Sequence, residues 1–488
     1  MNFLFTQTPL AFFVQNLWRD EAFSYVMSMQ NIWKIVEKSA LDFSPPLYYL
    51  ILHFWMKIFG TSEIAMRSLS LLFFVLTIYI LYDIMTIVFK IPVKRAVIYA
   101  FFILINPVLL FYAFEARMYM MAAFFISLSY FALWTKKKNL YVAAITMALY
   151  SHYFTIFILL GQILTKFVEI DRGSWRLIFT KFKKSVSTSL NKSQPISIIN
   201  IYKSQQISIL LPVLLFLPWL VYLLFKHDFS DPGFWVVRPY LSDIRFLFFV
   251  LYTGYEKVFG EYYHHGPGYI TLHTMINISL ATIIFIPIIF YKIKKIKIPN
   301  KKMRIDLLFW SFGPPILLFI LSFIGNPLYH PRYFMFSTAG FLLLIIFSLE
   351  TIFSIVSKKH YFPKLNFLTT SYLLLATFSI ILLYLTCSYN TLNLTYHKKR
   401  YVQAMYEEIS LSAKPKDVIY LTNELDYHLA LYYSKTANIY IFQKTYIEIP
   451  SYVGKALIPK SAFTDSFPNF PSKAFIVGYN SYETYSQI

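Results

Sequence analysis

Apolar residues recur along the chain in blocks at roughly 65–88, 96–113, 118–134, 139–151, 153–167, 207–225, 269–291, 305–324, 333–356 and 366–386. A helix crossing a bilayer needs about 20 apolar residues, because its backbone polar groups must bond internally in lipid. The blocks therefore predict a polytopic helical bundle. Basic clusters fall between alternate pairs of blocks: Lys90 with Lys94 and Arg95, Lys136 to Lys138, the stretch 166–206, Lys292 to Arg304, and Lys358, Lys359 and Lys364. The positive-inside rule makes these clusters cytoplasmic. Segments 18–64, around 114–117, around 152, 226–268, 325–332 and everything after about 387 then face outward. Phe3–Leu17 is short and interrupted by Gln7, Pro9 and Gln15, yet something must carry 18–64 outward. A truncated first helix is expected there, giving about 11 transmembrane helices in all.

The pattern changes near residue 397. A helix is predicted over Tyr401–Leu411, a turn at Lys414–Asp417 and a strand over Val418–Leu421. A helix near Asp426–Ser434 and strands at Asn438–Phe442 and Ala474–Val477 follow. Alternating helices and strands predict a small extracytoplasmic α/β domain. It has no G-x-G-x-x-G loop and so no nucleotide-binding signature. The expected division is a membrane domain over 1–390, with outer loop 18–64 carrying juxtamembrane helices, and an accessory domain over 391–488.

Composition narrows the choice further. Hydrophobic residues make up 57% of the 488 residues and charged ones only 14%, against about a quarter charged in soluble domains. A wholly soluble chain is excluded. The 20% aromatic content excludes disorder, and the single cysteine, Cys387, excludes a disulfide framework or Cys-rich metal site. The net charge of +21 sits between spans and reads as topogenic. Nucleic-acid binding would need a basic face on a folded domain, which is not visible.

Four outward patches carry candidate chemistry: Trp18 to Ser24 with Asp20 and Glu21, Asp42 to Tyr49, Tyr112 to Tyr119 with Glu115 and Arg117, and His330 to Tyr333. Neighbouring carboxylates at a membrane boundary repel and are costly to desolvate, so Asp20 and Glu21 call for a functional reason. The other patches have plainer readings beside the chemical one. Arg19 and Arg67 suit interface anchors, Pro45-Pro46 suits a helix start, and His152 suits packing.

In this order the patches resemble those of GT-C membrane glycosyltransferases of the dolichyl-phosphate-mannose protein mannosyltransferase-like superfamily, which includes lipopolysaccharide-modifying and aminoarabinose transferases. The matching elements are Asp20-Glu21, Pro45 to Tyr49, Gly60 to Arg67, Glu115 to Tyr119, Ser151 to Phe154, and Arg332-Tyr333, across roughly residues 15–390. Ser44 stands where the family often has His. The resemblance implies a polyprenyl-phosphate-sugar donor and transfer of one sugar to a hydroxyl acceptor: a glycolipid, cell-envelope glycan or protein. The reaction would lie on the extracytoplasmic face of the plasma (inner) membrane. Asp20, Glu21 and Glu115 become the catalytic set, with Asp20 as base. Arg117, Arg332, His330 and Arg67 become the donor-phosphate set, and Pro46, Tyr48, Tyr119, His152 and Tyr333 the substrate pocket.

The chemistry suits these residue types. A sugar phosphate leaves as a phosphomonoester, so fixed positive charge matters more than a general acid. Guanidinium supplies that charge in a bidentate, permanently protonated form. The acceptor hydroxyl needs a base, which one carboxylate provides. Direct attack inverts the anomeric carbon, and a retaining route through Glu21 stays open at this stage. No cofactor is expected, and a divalent metal, used by some GT-C enzymes, is not favoured. The alternative is a transporter or flippase of a lipid-linked saccharide, which would place ionisable groups near the bilayer midplane. The blocks 65–88, 207–225 and 333–356 are essentially uncharged inside, which favours an enzyme.

Overall fold

The computed structural model describes residues 2–169, 207–227, 235–254, 266–295, 299–356, 367–434 and 438–486. Most of the basic stretch 166–206, much of the outer segment 226–268, and Lys358, Lys359 and Lys364 lie outside the described residues.

The apolar blocks are helices, and their ends follow local chemistry. Glu63–Asp83 starts where the Ser62 side chain accepts from the Ala65 N–H, with Glu63 in the electropositive first turn. Leu47–Phe59 stops at Gly60, whose φ of +88° suits a residue without a Cβ. The block 96–113 is not one rod. It splits into Val93–Leu104 and Pro107–Ala113, bent by 64°. Asn106 caps the second piece through Leu109 N (3.2 Å) and Pro107 begins it, a pairing that favours a fresh start over continuation.

Among the described residues, Glu63–Val88, Thr274–Ile293, Lys301–Leu321 and Ser337–Ile355 are long and apolar enough to cross a membrane. The bent pair makes a fifth candidate, and Leu47–Phe59, Tyr119–Trp134, Tyr153–Thr165 and Leu211–Lys226 are shorter apolar helices. The chain is thus a multi-pass helical protein, and among the described residues length and composition pick out up to five spans of the about 11 expected. Residues 2–17 hold two short helices, Asn2–Gln7 and Ala11–Val14, in place of a span.

The helix Ser337–Val356 runs through the middle of the bundle, apolar on all sides as a buried helix must be. Its two ends differ. Arg332 lies just before one end. At the other, Glu350 pairs with Arg95 at 2.9 Å, and Ser348 and Thr351 accept from Arg304 at 3.3 and 3.1 Å. Twenty helical residues set the two ends about 30 Å apart.

The C-terminal segment forms a sheet in the order β3-β2-β1-β4-β5, with β1 Val418–Leu421, β2 Ile439–Phe442, β3 Phe463–Thr464, β4 Lys473–Val477 and β5 Tyr482–Ser486. The first four are parallel and β5 is antiparallel to β4. All four residues of β1 are buried, as a central parallel strand requires. The sheet and its helices Gln403–Ser412 and Tyr427–Tyr433 share a core of their own. The second helix docks on the first outer loop. Tyr433 OH donates to Glu63 (2.9 Å) and accepts from Leu17 N (2.7 Å), while Tyr432 OH donates to Thr61 O (3.0 Å).

One close approach inside the bundle is testable. Gly340 faces Trp310, and a Cβ there would lie 2.3 Å from the indole ring. Trp310 cannot swing away easily, being stacked on Tyr130 at 4.2 Å and donating to Phe336 O at 3.0 Å. Gly340→Ala should cost about 1–3 kcal/mol through overpacking. A lower thermal midpoint of the detergent-purified protein is the expected result.

Candidate active site

The helix Arg19–Ser28 begins where Trp18 N donates to Glu21 Oε2 at 3.1 Å. This places Asp20 and Glu21 in the first turn, against the positive end of the helix dipole. The two side chains then part company.

Glu21 turns inward and is fully buried. Arg67 holds it bidentately, Nε to Oε1 and Nη2 to Oε2, both at 2.7 Å. Lys399 reaches Oε2 at 2.7 Å and Ala116 N donates to Oε1 at 3.0 Å. Burial alone would raise this carboxyl, but Arg67 and then Lys399 hold it well below the usual carboxylate range. The rest of the Arg67 guanidinium donates to the carbonyls of Phe13 (3.0 Å), Gln15 and Asn16 (2.9 Å). Fully buried and engaged at every nitrogen, Arg67 presents no face to a phosphate.

Asp20 turns outward, with its side chain 34% exposed, and Oδ2 accepts from Arg332 Nη1 at 3.1 Å. Arg332 is gripped between Trp18 and Trp235, at 5.1 and 4.7 Å from the ring centres. From the other side Arg117 Nη1 donates to the Asp20 carbonyl (3.2 Å), Ser24 Oγ (3.3 Å) and Tyr49 OH (3.4 Å). The partly exposed carboxylate is therefore paired with one guanidinium, while a second is held on the backbone carbonyl of the same residue.

Glu115 lies beneath this group, 2% exposed, with Oε1 finding no hydrogen-bond partner among the described residues. Burial raises its carboxyl to about 7. Asp42, hydrogen-bonded by Ser44 Oγ at 2.8 Å, is also raised by burial to about 7. His152 is neutral, since burial and then Arg117 lower it to about 3. Its ring lies 5.9 Å from Tyr119 and 6.2 Å from Tyr333, and His330 packs on Trp235 at 4.8 Å. Pro46 and Tyr48 are buried in the packing under the loop. Among the described residues no three His, Cys, Asp or Glu gather as a metal ligand set.

The site predicted from sequence contains no residue of the tail. Lys399 seals Glu21, and Arg400 joins Arg19 on Asp426. A signal was present: His397-Lys398-Lys399-Arg400 is a basic run on the side assigned outward, where topogenic charge has no business. Asp42 and Trp18 open two of the predicted patches without a role of their own, and Trp235 lies outside all four; only folding brings them beside Arg117 and Arg332.

A cavity of about 300 Å³ opens between the outer loops and the C-terminal sheet. It is lined by Trp18, Glu115, Arg332, the run 397–400 and Tyr479 among others.

Residues 44–190 match the family model described as dolichyl-phosphate-mannose-protein mannosyltransferase. The whole chain superposes on the crystal structure of ArnT from Cupriavidus metallidurans in the apo state, with a TM-score of 0.53 and 13% identity over 96% of this chain and 90% of that one. The two chains share a fold. ArnT from the same organism bound to undecaprenyl phosphate gives a TM-score of 0.51 at 12% identity, over 96% of this chain and 91% of that one. No curated protein sequence matches. The shared fold thus spans nearly the whole chain, C-terminal segment included, and this chain's own long apolar helices make it a multi-pass membrane protein.

The state of Glu115 can be measured. A carboxyl raised on folding binds its proton more tightly in the native state, so stability falls as pH rises from its ordinary 4.5 to about 7. Glu115→Gln removes the ionisation. Its stability relative to native should be near parity at pH 5 and about 1–3 kcal/mol higher at pH 8. Unfolding midpoints of both proteins across that range check the sign.

Proposed function

We propose that this protein is a glycosyltransferase that moves a single sugar from a polyprenyl-phosphate-sugar to a hydroxyl acceptor at the outer membrane face, with Asp20 as the base. The observation carrying this reading is the solvent-reached Asp20 carboxylate paired with Arg332, with Arg117 held on the backbone carbonyl of the same residue. The GT-C fold, with a relative crystallised on undecaprenyl phosphate, supports the donor class.

The chemical roles follow from exposure. Of the three carboxylates first considered, Glu21 is locked by two cations and Glu115 keeps its proton up to about neutral pH. Asp20 is the carboxylate that a hydroxyl can approach. Arg117 and Arg332 offer fixed charge to the phosphate as the glycosidic bond breaks, where negative charge accumulates. In this reading Glu21 and Arg67 belong to the frame. Among the three carboxylates first considered no second one is open, so direct displacement with inversion is the favoured course. His152, Tyr119 and Tyr333 wall the sugar side as neutral groups.

Asp20→Asn keeps size and hydrogen bonding but removes the base, so transfer should fall by roughly 100-fold or more while donor binding persists. Arg117→Ala should weaken donor binding and turnover together, because a phosphate contact acts in both ground and transition states. Arg117→Lys should restore part of each, keeping charge without the fork. Transfer of label from a polyprenyl-phosphate-sugar, together with donor titrations on the same preparations, separates these effects. Near-native transfer by folded Asp20→Asn would remove the base assignment.

A further inference from the structure

The cavity between the outer loops and the C-terminal sheet has more positive charge than its neighbours neutralise. Arg19 and Arg400 both lean on one oxygen of Asp426. Lys399 is paired with Glu21 and Arg332 with Asp20. Lys398 lines the same cavity and is exposed, and among the described residues it makes no hydrogen bond or ion pair. Glu115 also lines the cavity, with Oε1 buried and without a hydrogen-bond partner among the described residues. Two arginines on one carboxylate and a lysine on none leave room for a doubly charged anion.

The sheet independently marks this place. Its order reverses beside β1, which pairs with β2 on one side and β4 on the other. In open parallel sheets, ligands lie outside the carboxyl ends of the strands at such a reversal. Here β1 and β4 end at Leu421 and Val477, and the chain after β4 carries Tyr479 into the cavity wall. Arg400 stacks on that ring at 4.4 Å and donates to the Tyr479 carbonyl at 2.6 Å. The C-terminal unit thus brings its ligand-favouring edge against the basic run that leads into it.

We propose that this cavity holds a phosphoryl group carried by the acceptor saccharide, gripped by Lys398, Arg400 and Arg19. This rests on the reading of Asp20 as base, because Arg332 lines the cavity and pairs with Asp20. An acceptor anchored there presents a neighbouring hydroxyl to that carboxylate. The phosphoryl group stays attached throughout. It is a handle, distinct from both the reacting hydroxyl and the phosphate that leaves with the donor lipid.

The test is equilibrium binding to the purified full chain, with glucose 6-phosphate, glucose and undecaprenyl phosphate as probes. Glucose 6-phosphate should bind saturably and glucose should not. Lys398→Glu should weaken glucose 6-phosphate by roughly tenfold or more, the scale of one charge-assisted hydrogen bond, and Lys398→Arg should restore it. Undecaprenyl phosphate should bind native protein and Lys398→Glu alike. Asp20→Asn should bind glucose 6-phosphate like native protein, so failure of the base assignment shows in transfer and failure of the cavity assignment in binding. Absence of Lys398-dependent phosphate binding overturns the proposal. So does an equal loss of undecaprenyl phosphate in Lys398→Glu, which would assign the cavity to the donor.

Discussion

The buried contact of Glu21 with Arg67 and Lys399 holds the candidate site together. Three charges out of water cost several kcal/mol each before any attraction is counted. The geometry repays this with a bidentate fork, an ammonium, two backbone donors from Trp18 and Ala116, and three carbonyls on the guanidinium. Those partners come from the start of the chain, the first outer loop, a bundle helix, the second outer loop and the linker to the C-terminal sheet. Segments far apart in the sequence are fastened at one carboxylate.

Its neighbour depends on it. Consecutive helical residues point about 100° apart, so fixing Glu21 inward turns Asp20 out. The same anchoring brings Ala116 N to Glu21 and leaves Arg117, one residue on, beside the Asp20 carbonyl. One carboxylate is consumed so that the next can be held still and open. This resolves the puzzle of two adjacent acids at a membrane boundary: they are not a repelling pair, because one is fully neutralised by cations.

Much of this was legible from residue pattern. The strand over Val418–Leu421 was read with the right bounds, because four apolar residues follow a Lys-Pro-Lys-Asp turn. The block starting at 65 comes within two residues of the helix start that Ser62 caps. The break at Asn106-Pro107 carried an equally clear signal that was overridden by the apolar run on either side. Strands β3 and β5 escaped because one is two residues long and the other is polar and exposed at an edge. In the site, Asp20, Arg117 and Arg332 could be singled out by their place at outer helix ends. Arg67 could not be separated from them, since a buried counter-ion and a phosphate ligand look alike in sequence. The part of Lys399 depends on a contact across 378 residues, beyond the reach of local pattern.

That long-range contact also orders the making of the protein. Glu21 and Arg67 are 46 residues apart and can meet as soon as the first bundle helix is in place. The second cation arrives only when residue 399 leaves the ribosome, after every apolar block has been threaded. Until then, one wall of the chemical cavity is missing and Glu21 Oε2 lacks its ammonium partner. Chains grow and fold from the N-terminus at a finite pace, so each copy passes through a period in which its membrane helices are inserted while its outer face stays unfinished. Translation of the last fifth of the sequence is therefore the closing step in building a cavity whose first residues were laid down at the start.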